Sequence, residues 1–377
     1  MMWGSAGGKQ SAVGPLDEFP IHQVPLPVEW AGTSDRNFYD RCYLNAHDRT
    51  GDVFVITGAG WYPNLGTKDA FLLVRRGDVQ TAVHLCDALD GDRLAQRVGA
   101  YRVEVTEPLH RLRVVLEETA GIAADLTWEG SFPVVREQPH VMRSGSRVTL
   151  DAQRFAQVGT WSGTLVVDGE ELAVTPDRWV GSRDRSWGIR PVGEAEPAGR
   201  PADPPFEGMW WTYVPLRFDD FAVVLVLQEN PDGYRTLNDC TRVWADGRLE
   251  QLGWPRVSVR YAPGTRVPTG ATICCTTPHG EPLRIEVESL LAVPLHVGAG
   301  YGGDPDWSHG VWKGPAFTER VTYDVTDEAV AGRVTFGVVD HVARATIDGA
   351  QGWGLFEHAA LGRHDPSGFA DWFGVAP

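Results

Sequence analysis

The chain has 377 residues, 42% of them hydrophobic, with 43 glycines, 26 prolines and a formal charge of −16 at pH 7. That charge excludes binding driven by nucleic-acid phosphates or by an anionic membrane surface, since both need a basic face and no Lys/Arg run exceeds Arg75–Arg76. The length allows two ordinary domains, and plentiful turn formers without long helical runs predict many short strands.

In chain order, the first fourteen residues are rich in Gly, Ser and Ala and lack the apolar core of a signal peptide, so 1–29 is predicted to be disordered or extended. The longest apolar run, Phe221–Leu227, is too short to span a bilayer and reads as a buried strand. The five cysteines, Cys42, Cys86, Cys240, Cys274 and Cys275, are odd in number, widely spread and without a C-x-x-C pair. They read as free thiols in a reducing compartment, and the chain is expected to be cytoplasmic with no integral membrane segment.

A layout repeats along the chain. Phe38–Asp48 followed by Val53–Gly58 matches Trp210–Asp220 followed by Phe221–Leu227, aligning Tyr43 with Tyr213 and Asp48 with Asp219. Leu73–Asp78 then matches Arg242–Arg248, Leu112–Glu117 matches Leu283–Glu288, Leu165–Asp168 matches Gly337–Asp340, and Ser186–Ile189 matches Gly352–Leu355. Six matches in one order, at offsets of about 166 to 172 residues, predict tandem β-domains over 30–205 and 206–377. Asp-Gly pairs at 90–91, 168–169, 232–233, 246–247 and 348–349 mark antiparallel hairpins. About eight strands per half fit either a barrel or a sandwich. The Pro-rich stretch Glu194–Phe206 reads as a stiff linker and a candidate flap.

Trp179–Pro191 (W-V-G-S-R-D-R-S-W-G-I-R-P) concentrates two indoles, three arginines and one aspartate. Strand alternation puts Asp184, Ser186 and Gly188 on one face and Arg183, Arg185 and Trp187 on the other. Charges in such a strand must be paired or lie beside a wet cavity. The segment is therefore either a structural Arg–Asp pair at a barrel mouth or a polar site at the end of an apolar pocket.

D-R-S-W-G after the D-G-E-E-L hairpin, W-W-T-Y…F-D-D after the linker, and Y-L-N-A-H-D…G-W-Y-P-N-L-G near the start together resemble the carotenoid hydratase (hydroxyneurosporene synthase) and two-domain lipocalin superfamily. The opening motif is similar to an uncharacterised actinobacterial branch. The resemblance covers about residues 30–374 and implies an all-β chain of two lipocalin-like antiparallel β-barrels packed together around an apolar ligand cavity. Relatives in that group hydrate, cyclise or rearrange polyenes and prenylated substrates. Where the hydratases tend to carry His and Asn in the D-x-x-W-G segment, this chain has Arg185 and Ser186.

Cofactor-free chemistry on such a ligand needs an acid in a dry pocket and electron-rich walls. Asp184 and Asp219 are the candidate acids, with Tyr213 and His47 as further catalytic candidates. Trp187, Arg185, Trp211, Trp210, Trp61, Tyr62, Asn64 and Trp179 are candidate ligand-binding residues. Arg183 or Arg185 could equally hold Asp184 ionised, and His47 could be a rim residue bonded to a backbone carbonyl. His296, His309, His358 and His364 lack metal-site spacing, so no metal is predicted. No Walker loop, G-x-G-x-x-G or G-x-S-x-G elbow is present, so no cofactor is predicted either. Three roles remain open: a carrier of an isoprenoid, polyene, sterol or acyl chain; a hydratase, cyclase or isomerase acting on such a ligand; and a carbohydrate-active β-protein, which would need a row of exposed indoles and a carboxylate pair.

Overall fold

The computed structural model describes residues 14–193, 205–302, 307–333 and 336–377. Residues 1–13 and most of the predicted linker, 194–204, lie outside them. Of the segment 1–29, expected to be disordered or extended, residues 14–29 are described and are irregular apart from one helical turn. There Asp17 accepts the backbone N–H groups of Gly14 (2.7 Å) and Val28 (2.8 Å), and Pro15–Glu18 closes a single helical turn.

The first half runs through β1 (Phe38–His47), β2 (Val53–Tyr62), β3 (Thr67–Arg76), β4 (Val79–Ala88), β5 (Arg97–Val98), β6 (Tyr101–Glu107), β7 (Arg111–Thr119) and β8 (Ile122–Gly130). It ends with β9 (Val135–Arg136), β10 (His140–Ser144), β11 (Arg147–Val167), β12 (Glu170–Val174) and β13 (Val180–Ile189). The second half has β14 (Gly208–Arg217), β15 (Phe221–Glu229), β16 (Arg235–Trp244), β17 (Leu249–Gln251), β18 (Gly253–Tyr261) and β19 (Pro268–Thr276). It continues through β20 (Pro282–Pro294), β21 (Phe317–Asp324), a short helix α1 (Glu328–Ala331), β22 (Val339–Ile347) and β23 (Ala350–Gly362).

All pairings are antiparallel, and they form two sheets with the same strand order. The path β4-β3-β2-β1-β13-β11-β8-β7-β6 of the first is matched by β17-β16-β15-β14-β23-β22-β20-β19-β18 of the second. Each sheet curls toward closure. In the first, β5 comes back against β3 and β4; in the second, β18 returns to β16, where Leu252 N–H donates to the Cys240 carbonyl. Two Asp-Gly pairs behave as predicted: Asp168-Gly169 and Asp348-Gly349 all have positive φ, the conformation of the tightest hairpins.

Why the two barrels associate is visible in β1, which is buried on both faces. Cys42, Leu44 and Ala46 join the interior of the first barrel with Trp128 and Trp161. Tyr43, on the opposite face, joins a cluster between the barrels with Phe54, Ile56 and Phe71 from one side and Trp211, Tyr213 and Val224 from the other. The second barrel has its own interior around Leu225, Ile273 and Phe356. A strand with no wet face reads as a continuous apolar run, which is how β2 and β15 look in sequence.

Two details depart from the sequence reading. Strand β21, from the span assigned to the second domain, pairs with β4 at the edge of the first sheet. And the repeat is shifted at three of the matched motifs: Leu165–Asp168 lies at the end of β11, whereas Asp340, at the start of β22, is the counterpart of Ala156. Leu112–Glu117 lies on β7, whereas Leu283–Glu288 lies on β20, the counterpart of β8. Tyr43 stands opposite Asp184 and Tyr213 opposite Glu357, so the counterpart of Asp184 is Glu357 rather than the residue at 350 that the W-G match implies.

Candidate functional site

A cavity of about 290 Å³ lies between the barrels. Its first wall comes from alternate residues of β1 (Tyr39, Arg41, Tyr43), β13 (Asp184, Ser186) and β11 (Ala152, Arg154). Its second comes from β14 (Met209, Trp211, Tyr213) and Glu357 of β23, with Tyr301, Leu295 and Val338 closing one side. The two-residue period of each strand keeps these groups on the face that the other barrel covers.

The carboxyls here are held away from their ordinary behaviour by burial. Asp184 is pushed up to about 6, chiefly by desolvation, with Glu357 raising it further and Arg154 opposing. The surface it retains faces the cavity, and among the described residues no group hydrogen-bonds to it. Glu137 rises to about 7, again mainly from desolvation. Arg154 lies 3.0 Å from Glu137, close enough to pair in charge but without an aligned hydrogen bond, and it stacks over Trp211 at 5.6 Å and Tyr213 at 5.8 Å. Asp340 and Glu357 face each other across the β22–β23 pair. Both are raised by burial, Asp340 well above its usual range, as two adjacent buried carboxyls cannot easily both ionise.

Hydrogen bonds divide these groups in two. The Tyr43 hydroxyl donates to Asp340 Oδ2 across the barrel interface. Trp211 Nε1 donates to Glu357 Oε1 at 2.5 Å. The Tyr213 hydroxyl, by contrast, is buried with no hydrogen-bond partner among the described residues. Within these two tyrosine–acid pairs, Asp184 and the Tyr213 hydroxyl are thus the groups without a hydrogen-bond partner among the described residues.

Of the residues predicted from sequence, Asp184, Tyr213 and Trp211 come together here. The alternation read at 182–188 also holds. Arg183 and Arg185 line a smaller cavity of about 170 Å³ within the first barrel. There Arg185 pairs with Asp40 at 2.9 Å and lies over Trp61 at 6.0 Å, while Arg183 donates to Gln157 at 2.8 Å. Neither arginine pairs with Asp184.

The remaining candidates are elsewhere. Asp219 sits on the β14–β15 turn with its side chain 97% exposed, 3.7 Å from the Arg217 guanidinium and outside the cavity. His47 is buried edge-on against Phe54, accepts the Arg49 N–H at 3.3 Å and is driven down to about 3 by burial, so it stays neutral away from the cavity. Trp187 is 39% exposed and meets Phe155 edge-on. Trp61 and Trp179 belong to the first barrel's interior, and Trp210 belongs to the second's, stacked on His364. Tyr62 is buried and donates to Asp69 at 3.2 Å. Asn64 donates to the carbonyls of Thr33 and Asp35 at 2.8 Å, tying down the N-terminal segment.

Arg154, Glu137, Glu357, Asp340, Tyr39, Arg41 and Arg190 were missed as site residues. Glu357 was reachable: pairing Tyr43 with Tyr213 and asking which residue each faces leads to it. Arg154 and Glu137 carry no motif and meet only through β9 and β11 pairing. Among the described residues, no three His, Cys, Asp or Glu side chains gather as a metal ion would require, and no helix is long and apolar enough to cross a membrane.

Comparison with known proteins gives a fold and a family. The crystal structure of a "putative AttH" from Nitrosomonas europaea aligns with a TM-score of 0.51 at 14% identity, covering 90% of this chain and 98% of that one. The crystal structure of kievitone hydratase from Nectria haematococca aligns at a TM-score of 0.49 and 14% identity, covering 88% and 89%. That of CghA aligns at 0.49 and 14%, covering 86% and 89%. The fold is the two-domain lipocalin-like one that the sequence motifs resemble. No curated protein matches the sequence. A model of a family of unknown function, DUF8625, matches residues 13–370, and the chain belongs to that family.

Proposed function

We propose that this chain is a cofactor-independent enzyme that binds one compact hydrophobic molecule between its barrels and moves a proton on it, by hydration, dehydration or isomerisation at a carbon–carbon double bond. The observation that carries this reading is Asp184, a carboxyl poised near 6 beside a mostly apolar cavity with no hydrogen bond to hold it among the described residues. A carrier has no use for an unpaired acid there, and leaving one costs stability. The cavity, about 290 Å³, is at the small end of ligand pockets, which run from roughly 300 to 1,000 Å³. It suits a compact, ring-bearing isoprenoid or polyketide-like molecule better than a long polyene.

In this reading protonated Asp184 delivers its proton to one alkene carbon. Its carboxylate then takes a proton from the water whose oxygen bonds to the other carbon, or from a neighbouring carbon in an isomerisation. The acid is restored at the end of each turnover without an electron acceptor. The unpartnered Tyr213 hydroxyl would orient that water or a substrate oxygen, and Trp211 and Tyr301 supply electron-rich walls. The five cysteines are free thiols, four of them buried, and we place the protein in the cytoplasm on that basis.

The test is to extract the compound that co-purifies with the chain, identified by native mass spectrometry, and incubate it with the protein in deuterium oxide. Wild type should place deuterium on carbon and Asp184→Asn should not. Equal incorporation by both would remove Asp184 from the chemistry.

A further inference from the structure

The proposed reaction accounts for Asp184 and Tyr213 but leaves two guanidinium groups on the cavity wall unused. Arg41, on β1, is only 4% exposed, and its Nε is buried with no hydrogen-bond partner among the described residues. Its single side-chain hydrogen bond among the described residues runs from Nη2 to His309 Nε2 at 2.7 Å. Burial drives His309 down to about 3, so that imidazole is neutral and cannot offset the charge. The nearest acid on that side, Asp69, stands behind the imidazole, 3.7 Å from its Nδ1. The Asp69–His309 pair therefore orients Arg41 without neutralising it by contact. Arg190 follows β13 and has no carboxylate or hydrogen-bond partner for its guanidinium among the described residues. It lies over Tyr39 at 5.0 Å and Tyr301 at 5.9 Å. Arg41 covers the same Tyr301 ring at 5.2 Å. Two guanidiniums thus flank one aromatic ring with a cavity in front of them.

Charge around the cavity is unbalanced in the direction this implies. Arg41, Arg154 and Arg190 all line it, and among the described residues only Arg154 has a carboxylate at ion-pair distance. Of the acids that act on this wall, Asp184, Glu137, Glu357 and Asp340 are held toward their neutral forms by burial, and Asp69 favours the Arg41 charge only from behind His309. A surplus of buried cationic charge is costly unless an anion arrives to meet it. Planar guanidiniums match a carboxylate-type oxyanion well.

We propose that Arg41 and Arg190 form an oxyanion subsite beside Tyr301, and that the ligand is an amphipathic organic acid whose anionic end docks there while its apolar body reaches Asp184. The strand register supports the spacing. Arg41 stands opposite Ser186, two residues along from the Tyr43–Asp184 pair, a step of roughly 7 Å in a strand. The acid-base group then acts on carbon a few bonds from the anionic end.

This deepens the function proposed above, and its test separates the two. Affinities of 2-naphthoate and indole-3-acetate are compared with those of the matching neutral amides by isothermal titration calorimetry and tryptophan fluorescence. Wild type should prefer each acid over its amide by about tenfold or more, the value of one well-placed charge contact. Arg190→Gln, at a half-buried position, should remove most of that preference, as should Arg41→Gln if melting shows it folded; otherwise Arg190→Gln decides. Arg248→Gln, on the distant surface, should leave the preference intact. Asp184→Asn should keep the preference for acids while losing deuterium incorporation. Acid and amide binding equally to wild type, neither binding up to its solubility limit, or a preference that survives in Arg190→Gln overturns the subsite. None of those outcomes bears on the proton chemistry of Asp184.

Discussion

At the sixth residue of β1 stands Tyr43, opposite Asp184; at the sixth residue of β14 stands Tyr213, opposite Glu357. The duplication has supplied the same tyrosine–acid pair twice, on facing walls of one cavity, but the two pairs are wired differently. In the first, the tyrosine is bonded to Asp340 and the acid is left alone. In the second, the acid accepts the Trp211 indole and the tyrosine is left alone. Two substitutions between the repeats explain this. The residue two before each tyrosine is Arg41 in one copy and Trp211 in the other. Trp211 reaches its neighbouring acid, whereas Arg41 turns to His309. The residue paired with each acid on the next strand is Ala156 in the first copy and Asp340 in the second, so only Tyr43 finds a carboxylate across the interface. One member of each pair has become structural. The acid and the hydroxyl without a hydrogen-bond partner among the described residues come from opposite repeats, and they are the pair to which the proposed chemistry assigns the work.

The comparison breaks most decisively on activity. Asp184→Asn should lower turnover by about 10²–10⁴, the usual contribution of a positioned acid or base, while Glu357→Gln should act mainly on stability. Equal losses of turnover in the two variants would erase the distinction between the pairs.

Next in size is Arg154→Met, which strands Glu137 in the wall. Urea denaturation at pH 8, where Glu137 is ionised, should show about 3–5 kcal/mol lost. At pH 5, well below its value of about 7, the acid is neutral and most of the loss should vanish. A loss independent of pH would mean that Arg154 acts through packing on Trp211 and Tyr213 alone.

The tyrosines sharpen the contrast directly. Tyr43→Phe leaves Asp340 without its donor and should cost about 1–3 kcal/mol, whereas Tyr213→Phe removes a hydroxyl with no partner and should be close to neutral in a thermal or urea melt. The reverse order would show that the hydrogen bonds have been assigned to the wrong repeat.

Asp184 should also leave a mark on the pH dependence of stability. Its folded value, about 6, is above its unfolded one of 3.8, so the folded state holds its proton more tightly. The resulting stabilisation is present below pH 4 and is lost as pH rises through 6. Asp184→Asn should match wild type near pH 4 and exceed it at pH 8 by on the order of 1–3 kcal/mol. A variant less stable than wild type at pH 8 would imply that the carboxylate is well paired.

Much of the fold was legible in the sequence because period-two patterns and Asp-Gly turns are local signals. The face of Asp184 and the Tyr43–Tyr213 equivalence follow from alternation and repeat alone. What the sequence concealed depends on contacts between distant strands. Trp-Gly at 187–188 and at 353–354 looks like one motif repeated, but β23 is set at a different register from β13, and that hid Glu357. Arg154 lies in the 21-residue strand β11 without a motif, and only the approach of the second barrel turns it into a site residue. Strand β21 could not be assigned to the first sheet, because its alternating half-exposed pattern suits any sheet edge. Asp219 and Trp187 looked like site residues by type and neighbourhood, but Asp219 sits in water on a turn and Trp187 packs against Phe155, outside the interbarrel cavity.

The central claim is that Asp184 is an unpaired acid inside the interbarrel cavity. A carbon-detected NMR titration of the aspartate carboxyls, with Asp184→Asn to assign the signal, tests it most directly. The account predicts a midpoint near 6 that moves when a ligand fills the cavity. A midpoint at the ordinary aspartate value of about 3.9, unmoved by ligand, would contradict it.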